Sequence, residues 1–543
     1  MRPISRRLFL AGSAAVVVTA CTGGSDATSS TSAPASEPAS DSTTTSIDTT
    51  TTTEPPLAPV AAPPLDVTSD PFTLGVASGD PATDGVILWT RLAPDPLAGG
   101  GMPDGDVDVA WDIARDAEFT ELWASGTTTA PAQYGHSVHH LAELEPGWWY
   151  YRFRVGEWTS PVGRTQPAPA ETAEPQQVRF ASASCQNYQN GFYTAHRDVA
   201  EQQPDFVVFL GDYIYEGGAV GIDGADVVRQ HDGPEPMDLV GYRNRYALYK
   251  GDPDLQAAHA ACPWYVIWDD HEVENNYAGL VPQDPADAPG FEERRRQAYQ
   301  VWWEHQPVAL DPPPATGEFR IYRSFRWGNL VDLALVDGRQ YRSDQACGDP
   351  SLSLDPPCPE IFDESRTMIG DEQEQWLIDW ATSTDPATWS VVGQQTVFGD
   401  VTIGGAVLNY DQWDGYPTER NRIVDALDPA RNTVVLTGDI HFAGTGIIRQ
   451  GGRGVGAPVG VEFVATSISS GGLVNPAVTD VVKAIPDIVD VDLEHRGYIL
   501  HTVTPERWTA DYRIVDSVKV PDGLVSTGAT YQVDAGTNIV TIA

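Results

Sequence analysis

The sequence predicts an α/β fold preceded by a smaller all-β domain, and three patterns lead to this expectation. Six apolar runs typical of buried strands alternate with helical stretches between residues 178 and 437, as in layered α/β folds. Short alternating runs separated by Gly, Pro and Asp fill residues 72–164, which is typical of an antiparallel sandwich. The Pro-rich segment 167–177 separates the two patterns and is expected to be a linker.

These patterns also place the domain boundaries. The all-β domain is expected over residues 67–168 and resembles an immunoglobulin or fibronectin type III sandwich. The α/β domain is expected over residues 176–543, with strands after about residue 500 closing the fold. Apolar runs are expected to form strands at 178–183, 205–210, 264–268, 330–336, 389–392 and 433–437, and helices are expected at 193–202, 292–304 and 372–383.

One strand of the all-β domain carries His136, His139 and His140. Three histidines this close could bind a metal ion, but no carboxylate or cysteine accompanies them at ligand spacing. We therefore expect them to be surface residues of the strand.

The charge of the chain limits its partners. Asp and Glu number 76 against 33 Lys and Arg, which gives a net charge of −43. Specific nucleic-acid binding and binding to an anionic membrane surface both need basic residues, so neither is expected. Hydrophobic residues make up 41% of the chain, enough for a sizeable core, and the acidity suits hard cations as partners.

The first residues are typical of an export signal. Arg6 and Arg7 precede an apolar run, Leu8 to Ala20, that is too short to span a bilayer. This arrangement resembles a twin-arginine signal over residues 1–20. Residues 18–21 resemble a lipoprotein cleavage site that would place a lipid on Cys21, although an ordinary signal with a chance cysteine is the alternative.

Residues 21–66 are mostly Ser, Thr, Ala and Pro and are expected to be a disordered tether. The protein is thus expected to be exported, and either lipid-anchored at the cell surface or secreted.

Four predicted strands end in residues of the metal-ligand type. These are Cys185, Asp212 after Gly211, the pair Asp270-His271, and Asp439-Ile440-His441. Ligand sites in α/β folds gather beyond the carboxyl ends of strands, and residues two apart on an extended segment point the same way. Helix capping explains any one of these features but not the set, so a metal site with two or more ions is expected.

Several longer motifs resemble a known family. They are Phe72–Pro81, Ala183–Gln186, Gly211–Glu216, Tyr242–Lys250, Asp252–His259, Trp268–Asn276, Arg339–Arg342, Gly370–Leu377, Trp413–Pro417 and Gly438–His441. From about residue 70 to past 500 the sequence resembles the PhoD-type alkaline phosphatases and phosphodiesterases. The resemblance implies a calcineurin-like metallophosphoesterase fold, in which helices flank a β-sandwich core.

The resemblance also implies the metals and their ligands. It implies Fe³⁺ with Ca²⁺ partners, two calcium ions being expected, and thiolate and phenolate donors suit ferric iron while carboxylate and amide oxygens suit calcium. The implied iron ligands are Cys185, Asp212, Tyr215 and His441. Asp212 would bridge to calcium, and Asp439, Asp270 and Asn275 would complete that side, with the choice among Asp270, Asn275 and Asn276 left open.

Two further residues are expected to act on the substrate. In the hypothesis, a hydroxide or oxide between the metals attacks phosphorus in line. His271 would hydrogen-bond a phosphoryl oxygen or protonate the leaving group, with a structural strand-end histidine as the alternative. Arg339 is a candidate phosphate clamp, and a structural ion pair is the alternative.

The remaining cysteines fit an exported protein. Cys347 and Cys358 flank a short Asp- and Pro-rich loop and are expected to form a disulfide. Cys262 is expected to be a buried free thiol.

These expectations describe an exported, monomeric, metal-dependent alkaline phosphatase acting on small-molecule or polymeric phosphate monoesters and diesters. A phospholipase D-like phosphodiesterase acting on lipid headgroups is the alternative within the same fold. From a different class, a lipid-anchored binding protein with a vestigial metal site is a third possibility.

Overall fold

The computed structural model describes residues 57–218, 227–350, 355–472, 475 and 478–543. Its strands are β1 Val76–Ala82, β2 Gly85–Arg91, β3 Val107–Ala114, β4 Leu122–Ala130, β5 Ser137–Ala142, β6 Trp149–Val155, β7 Trp158–Thr159, β8 Gly163–Thr165, β9 Val178–Ala183, β10 Phe206–Leu210, β11 Trp264–Ile267, β12 Arg323–Trp327, β13 Val331–Leu335, β14 Trp389–Gly393, β15 Thr433–Thr437, β16 Ala443–Arg449, β17 Pro458–Val464, β18 Ile488–Asp492, β19 Arg496–Val503, β20 Arg507–Val515, β21 Val525–Asp534 and β22 Val540–Ile542. Its helices are α1 Thr194–Gln202, α2 Leu239–Lys250, α3 Pro253–Ala261, α4 Phe291–His305, α5 Asp371–Ala381, α6 Pro417–Ala426 and α7 Thr479–Lys483.

Two large mixed sheets organise the protein. One has ten strands in the order β22-β21-β20-β19-β9-β10-β11-β1-β2-β5, and the other has seven in the order β12-β13-β14-β15-β17-β16-β18. One hydrophobic cluster takes residues from both sheets, among them Leu210, Val266, Leu333 and Leu436. The six strands predicted after residue 170 are β9, β10, β11, β13, β14 and β15, so the α/β prediction is confirmed.

Local sequence explains these elements. All five residues of β10 (FVVFL) are buried, as expected of a strand covered on both faces between the parallel strands β9 and β11. Helix α3 begins at Pro253, where the missing N–H costs nothing, and Asp252 accepts hydrogen bonds from the N–H groups of Asp254 and Leu255. The three predicted helices correspond to α1, α4 and α5, and the strands predicted after residue 500 are present as β19 to β22.

The N-terminal region is less independent than its sequence suggests. Strands β3, β4, β6 and β7 form a separate sheet, with β8 pairing β6. However, β1, β2 and β5 belong to the ten-stranded sheet, because β1 pairs in parallel with β11 at Gly79 and Trp264. A side chain at Gly79 would lie 2.3 Å from the Pro307 carbonyl oxygen, so glycine permits this close approach. The region has two β-layers, but one of them is continuous with the α/β sheet, and the alternation pattern could not reveal that shared edge.

The structure also shortens the predicted tether. Val60 donates to Ser125 and accepts from Arg154, and the Pro63 carbonyl accepts from Gly156. Residues 57–66 therefore lie against the first β-layers, and the prediction of disorder up to residue 66 is wrong for them. The predicted signal over residues 1–20, Cys21 and the rest of the tether lie outside the described residues. Among the residues that are described, no helix is both long and apolar enough to cross a membrane.

The three histidines of the first domain are not simple surface residues. His136 is buried, and its Nε2 lies 2.8 Å from the Gly105 carbonyl oxygen. His139 stacks on Trp303 and His140 stacks on Trp111, with ring centroids 4.1 and 4.2 Å apart. The surface prediction is therefore wrong for His136, and the other two are half-buried by aromatic packing that spacing alone does not show.

Both cysteine predictions that fall on described residues are confirmed. Cys347 and Cys358 form a disulfide, and Cys262 is a buried free thiol.

Candidate metal centre and active site

The predicted strand ends meet in space. Strands β9, β10 and β11 are parallel neighbours, and Cys185, Asp212 and Asp270 follow them directly. Asp439 and His441 follow β15, which comes from the other sheet. The site therefore lies where the carboxyl ends of strands from both sheets converge.

The first group contains the four residues predicted to bind iron. Donor atoms of Cys185, Asp212 and His441 all lie within 4.8 Å of one another. The Tyr215 hydroxyl lies 2.7 Å from Asp212 Oδ2 and 2.9 Å from His441 Nε2. All four side chains are buried, so one sulfur, one nitrogen and two oxygen donors surround a common point.

The backbone that presents these groups is strained. Cys185, Asp212, Asp439 and His441 have φ angles of 60°, 56°, 62° and 57°, in the left-handed region that costs non-glycine residues about 1–3 kcal/mol each. Asp439 and His441 therefore lie in a bend, and the expectation that an extended segment aligns them is wrong. Gly211 has φ 101°, and a Cβ there would lie 2.5 Å from Asp269 Cβ, so this sharp turn requires glycine.

The electrostatics of the first group suit a cation. Burial, reinforced by neighbouring carboxylates, raises the pKa of Cys185, Asp212 and Tyr215 well above their usual values. Asp212 Oδ1 is buried and has no hydrogen-bond partner among the described residues. A cation bound here would stabilise the deprotonated forms of these three side chains and would coordinate Asp212 Oδ1.

His441 is prepared to act as a ligand. Burial lowers its pKa to about 3, so the ring is neutral. Its Nδ1 donates to the Gly471 carbonyl oxygen over 2.7 Å, which fixes the tautomer and leaves the Nε2 lone pair facing the other donors. The donor set thus fits a metal ion.

Two further groups adjoin the first through shared carboxylates. Asp212, Asp270 and His271 form the second group, and Asp269, Asp270 and Asp439 form the third. Asp212 is common to the first and second groups and Asp270 to the second and third. This arrangement resembles a row of neighbouring cation sites.

Arg339 occupies the third group. Its guanidinium contacts Asp269 and lies 3.1 Å from Asp439 and 2.9 Å from Asp411. The side chain is fully buried, and these carboxylates use its donors. The structure therefore favours the ion-pair alternative over a phosphate clamp, and the third group already holds one positive charge.

His271 is held by a carboxylate. Its Nδ1 donates to Glu216 Oε2 over 2.6 Å, while Glu216 Oε1 accepts the Asn275 N–H over 2.9 Å. Burial opposes protonation of His271, but the negative charges of Glu216, Asp212 and Asp270 outweigh it and raise its pKa. Its Nε2 has no hydrogen bond within the described part of the chain, and the ring lines a cavity.

The two asparagines have different surroundings. The Asn275 amide nitrogen donates to Gln283 over 2.7 Å. The Asn276 backbone N–H donates to Asp270 Oδ2 over 2.7 Å, with φ 53°. Both line the cavity, so either could offer an amide oxygen to a cation, and the assignment of Asn275 stays a prediction.

Sequence reasoning missed the role of Glu272. This buried carboxylate accepts the backbone N–H groups of Asp212, Tyr213 and Asp269 over 3.1, 2.6 and 2.9 Å. It therefore ties the turn after β10 to the turn after β11. Glu272 lies inside the motif at residues 268–276, but nothing in the sequence marks it as a backbone acceptor.

The donor groups open onto a cavity of about 1020 Å³. Asp212, Asp270, His271, Asp439 and His441 line one part of it. A buried donor cluster at a large cavity, at the strand ends of an α/β fold, is the arrangement of a metal-dependent enzyme.

Comparison with known proteins gives the family. Residues 180–512 match the family described as PhoD-like phosphatase, and residues 59–169 match its N-terminal domain. Alkaline phosphatase D of Bacillus subtilis (strain 168) is 44% identical over 483 residues, which cover 87% of this chain and 82% of that protein. A solved structure described as "Structure of PhoD" matches with a TM-score of 0.84 and 42% identity, covering 88% of this chain and 93% of the other. The chain belongs to the PhoD-like phosphatase family, and it is a phosphoric ester hydrolase.

Proposed function

We propose that this protein is an alkaline phosphatase that hydrolyses phosphate monoesters and diesters at a metal centre. The observation that carries the proposal is the convergence of Cys185, Asp212, Tyr215 and His441 on one buried point. Small-molecule and polymeric phosphate esters are the proposed substrates, because a cavity of about 1020 Å³ adjoins this point.

The donor chemistry supports iron and calcium. The first group offers thiolate, phenolate, carboxylate and imidazole, which suit Fe³⁺. The second group offers the carboxylates of Asp212 and Asp270, which suit Ca²⁺, and Asp212 belongs to both groups. A second Ca²⁺ would use Asp270 and Asp439, where it would have to share its ligands with Arg339.

The mechanism follows from the positions of the side chains. Cations held by the first and second groups would supply an activated water nucleophile and positive charge for the phosphoryl oxygens. In hydrolysis, a water oxygen gives up a proton and forms a bond to phosphorus, the ester P–O bond breaks, and the departing oxygen takes up a proton. His271 is placed to hydrogen-bond the phosphoryl group or supply that proton through Nε2, because Glu216 holds Nδ1.

We further propose the domain architecture of the protein and its location in the cell. Within residues 176–543, the strands of the two large sheets are the metallophosphoesterase sandwich with flanking helices. Residues 67–168 are the immunoglobulin-like domain, whose strands β1, β2 and β5 extend the ten-stranded sheet. The twin-arginine-type signal supports export, and Cys21 supports a lipid anchor as the sole link to a membrane. A monomer without specific nucleic-acid binding agrees with the net charge of −43.

Asp212→Asn tests the proposal. Since Asp212 belongs to two donor groups, the variant is expected to lose iron and about 100-fold or more of its activity on 4-nitrophenyl phosphate and bis(4-nitrophenyl) phosphate. Asp385→Asn changes a carboxylate whose side chain is 88% exposed and is the matched control. If Asp212→Asn kept the full wild-type activity, Asp212 would not be a ligand of the metal centre.

The phospholipase D-like alternative makes a different prediction. Such an enzyme would release headgroups from phosphatidylcholine vesicles faster than it cleaves soluble diesters. Comparing those rates for one preparation decides between the two activities.

A further inference from the structure

Much of the cavity wall is apolar. Next to the metal donors, Val397, Ile440 and Val464 form a small buried cluster on which Val401 and Phe442 pack. Farther along, β16, α7, β18 and the segment between α7 and β18 supply a second stretch of wall, which consists of Ile448, Val482, Ile485 and Val491. Both apolar stretches line the cavity onto which the metal donors open.

The charged side chains around this second stretch pair with one another. Arg449 lies 2.7 Å from Asp487, and Lys483 lies 2.6 Å from Asp490. Asp490 also accepts a hydrogen bond from the Tyr531 hydroxyl over 2.6 Å. Because these charged groups are paired with one another, they are not free to bind a polar group of a substrate. This part of the wall therefore favours contact with a hydrocarbon group.

We infer that the wall formed by Ile448, Val482, Ile485 and Val491 is a subsite for the aliphatic ester group of a phosphodiester. The inference rests on the proposed function, which places the phosphoryl group at the metal donors. An aliphatic group on the second ester oxygen would then extend along the wall, and each methylene that leaves water is worth up to about fourfold in binding. A monoester has no such group, so the subsite would favour aliphatic diesters.

A homologous series measures the subsite. The metal-loaded full-length protein is assayed with methyl, butyl and octyl 4-nitrophenyl phosphates, all at monomeric concentrations, so that the leaving group stays constant. The wild type is expected to show kcat/KM at least about tenfold higher for the octyl than for the methyl ester. In Val482→Asn and Ile485→Asn this octyl-to-methyl ratio is expected to fall at least about threefold. The ratio does not depend on the fraction of each variant that is folded.

The control and the contrary outcomes separate the inference from the proposed function. Leu524 is 72% exposed and does not line the cavity, so Leu524→Asn is expected to keep the wild-type ratio. Equal rates across the series, or wild-type ratios in both wall variants, would overturn the subsite alone. The subsite would also be overturned if kcat/KM depended on the length of the alkyl chain only when the esters were presented in vesicles. The membrane surface would then supply the selectivity. Failure of the wild type to cleave any diester would overturn both.

Discussion

The pair formed by Glu216 and His271 shows how single residues define this site. Glu216 is buried and bonds both His271 Nδ1 and the Asn275 N–H. Burial alone would raise the pKa of Glu216, but His271 and the N–H donor outweigh burial and lower it. The carboxylate thus stays charged, orients the imidazole and directs Nε2 away from itself.

Replacing Glu216 by Gln tests this positioning role. The amide can still accept one hydrogen bond, but it lacks the charge that stabilises a protonated His271. We expect kcat to fall about 10- to 100-fold while the iron content stays at the wild-type level, measured by steady-state kinetics and elemental analysis. Glu293→Gln, at an exposed side chain paired with Arg296, is the control. Loss of iron in parallel with activity would assign Glu216 a structural role instead.

At the scale of elements, the turns after β10 and β11 depend on one another. Both carry metal-type donors, and Glu272 accepts N–H groups from each turn. Burial raises the pKa of Glu272 to about 7 despite these three donors. Glu272 thus acts as a clamp between the two turns. It compensates part of the strain at Asp212, because it accepts backbone N–H groups that no hydrogen bond between strands satisfies.

Glu272→Gln is expected to loosen both turns. A glutamine offers one acceptor oxygen and turns an NH₂ group toward a backbone N–H, so at least one buried donor is left unpaired. We expect the free energy of unfolding to fall by about 1–3 kcal/mol and iron affinity to fall with it, measured by denaturant titration and competition with a chelator. A variant with wild-type stability and metal affinity would contradict the clamp.

A buried histidine links three strands of the ten-stranded sheet. His501 on β19 lies 2.8 Å from the Ser182 hydroxyl on β9, and its Nδ1 accepts the Trp508 N–H from β20 over 3.0 Å. The indole nitrogen can only donate, so Nδ1 must stay unprotonated. Burial lowers the pKa of His501 from 6.5 to about 3.

The lowered pKa of His501 predicts how the free energy of unfolding changes as the pH falls. The unfolded chain binds the proton near pH 6.5 and the folded chain only near pH 3, so the contribution of His501 is complete above pH 6.5 and is lost as pH falls toward 3. His501→Asn cannot titrate. We expect it to be less stable than the wild type at pH 7.5, with a gap that narrows by up to about 1.4 kcal/mol per pH unit below pH 6.5. Urea titrations from pH 7.5 to 5 measure the gap, and a constant gap would contradict the assignment.

At the scale of the whole molecule, the metal centre joins the two sheets. Cys185, Asp212 and Asp270 follow strands of the ten-stranded sheet, while Asp439 and His441 follow β15 of the other. Cations bound to these donors would therefore stabilise the folded chain, because the unfolded chain cannot bring the donors together. Calcium and iron chelators are expected to lower Tm by several degrees in calorimetry, and re-addition of the metals should restore it. An unchanged Tm after the metals have been removed would contradict this coupling.

The strands and the site could be predicted because they follow from local patterns. Buried strands such as β10 are continuous apolar runs, and the donor residues stand directly after them. The motif at residues 268–276 added family information that no periodicity contains.

Other features depend on contacts between distant parts of the chain. The pairing of β1 with β11 joins an N-terminal strand to the α/β sheet, and no local pattern encodes that partner. Arg339 looked equally suited to phosphate or to carboxylates, and only the fold shows that Asp269, Asp411 and Asp439 surround it. The backbone acceptor role of Glu272 is likewise visible only in three dimensions.

Elemental analysis of the purified protein, combined with activity before and after chelation, tests the central claim most directly. The account predicts about one iron per chain together with calcium, loss of phosphatase activity when calcium is removed, and recovery when it is restored. Wild-type activity from protein that contains neither iron nor calcium would contradict the account.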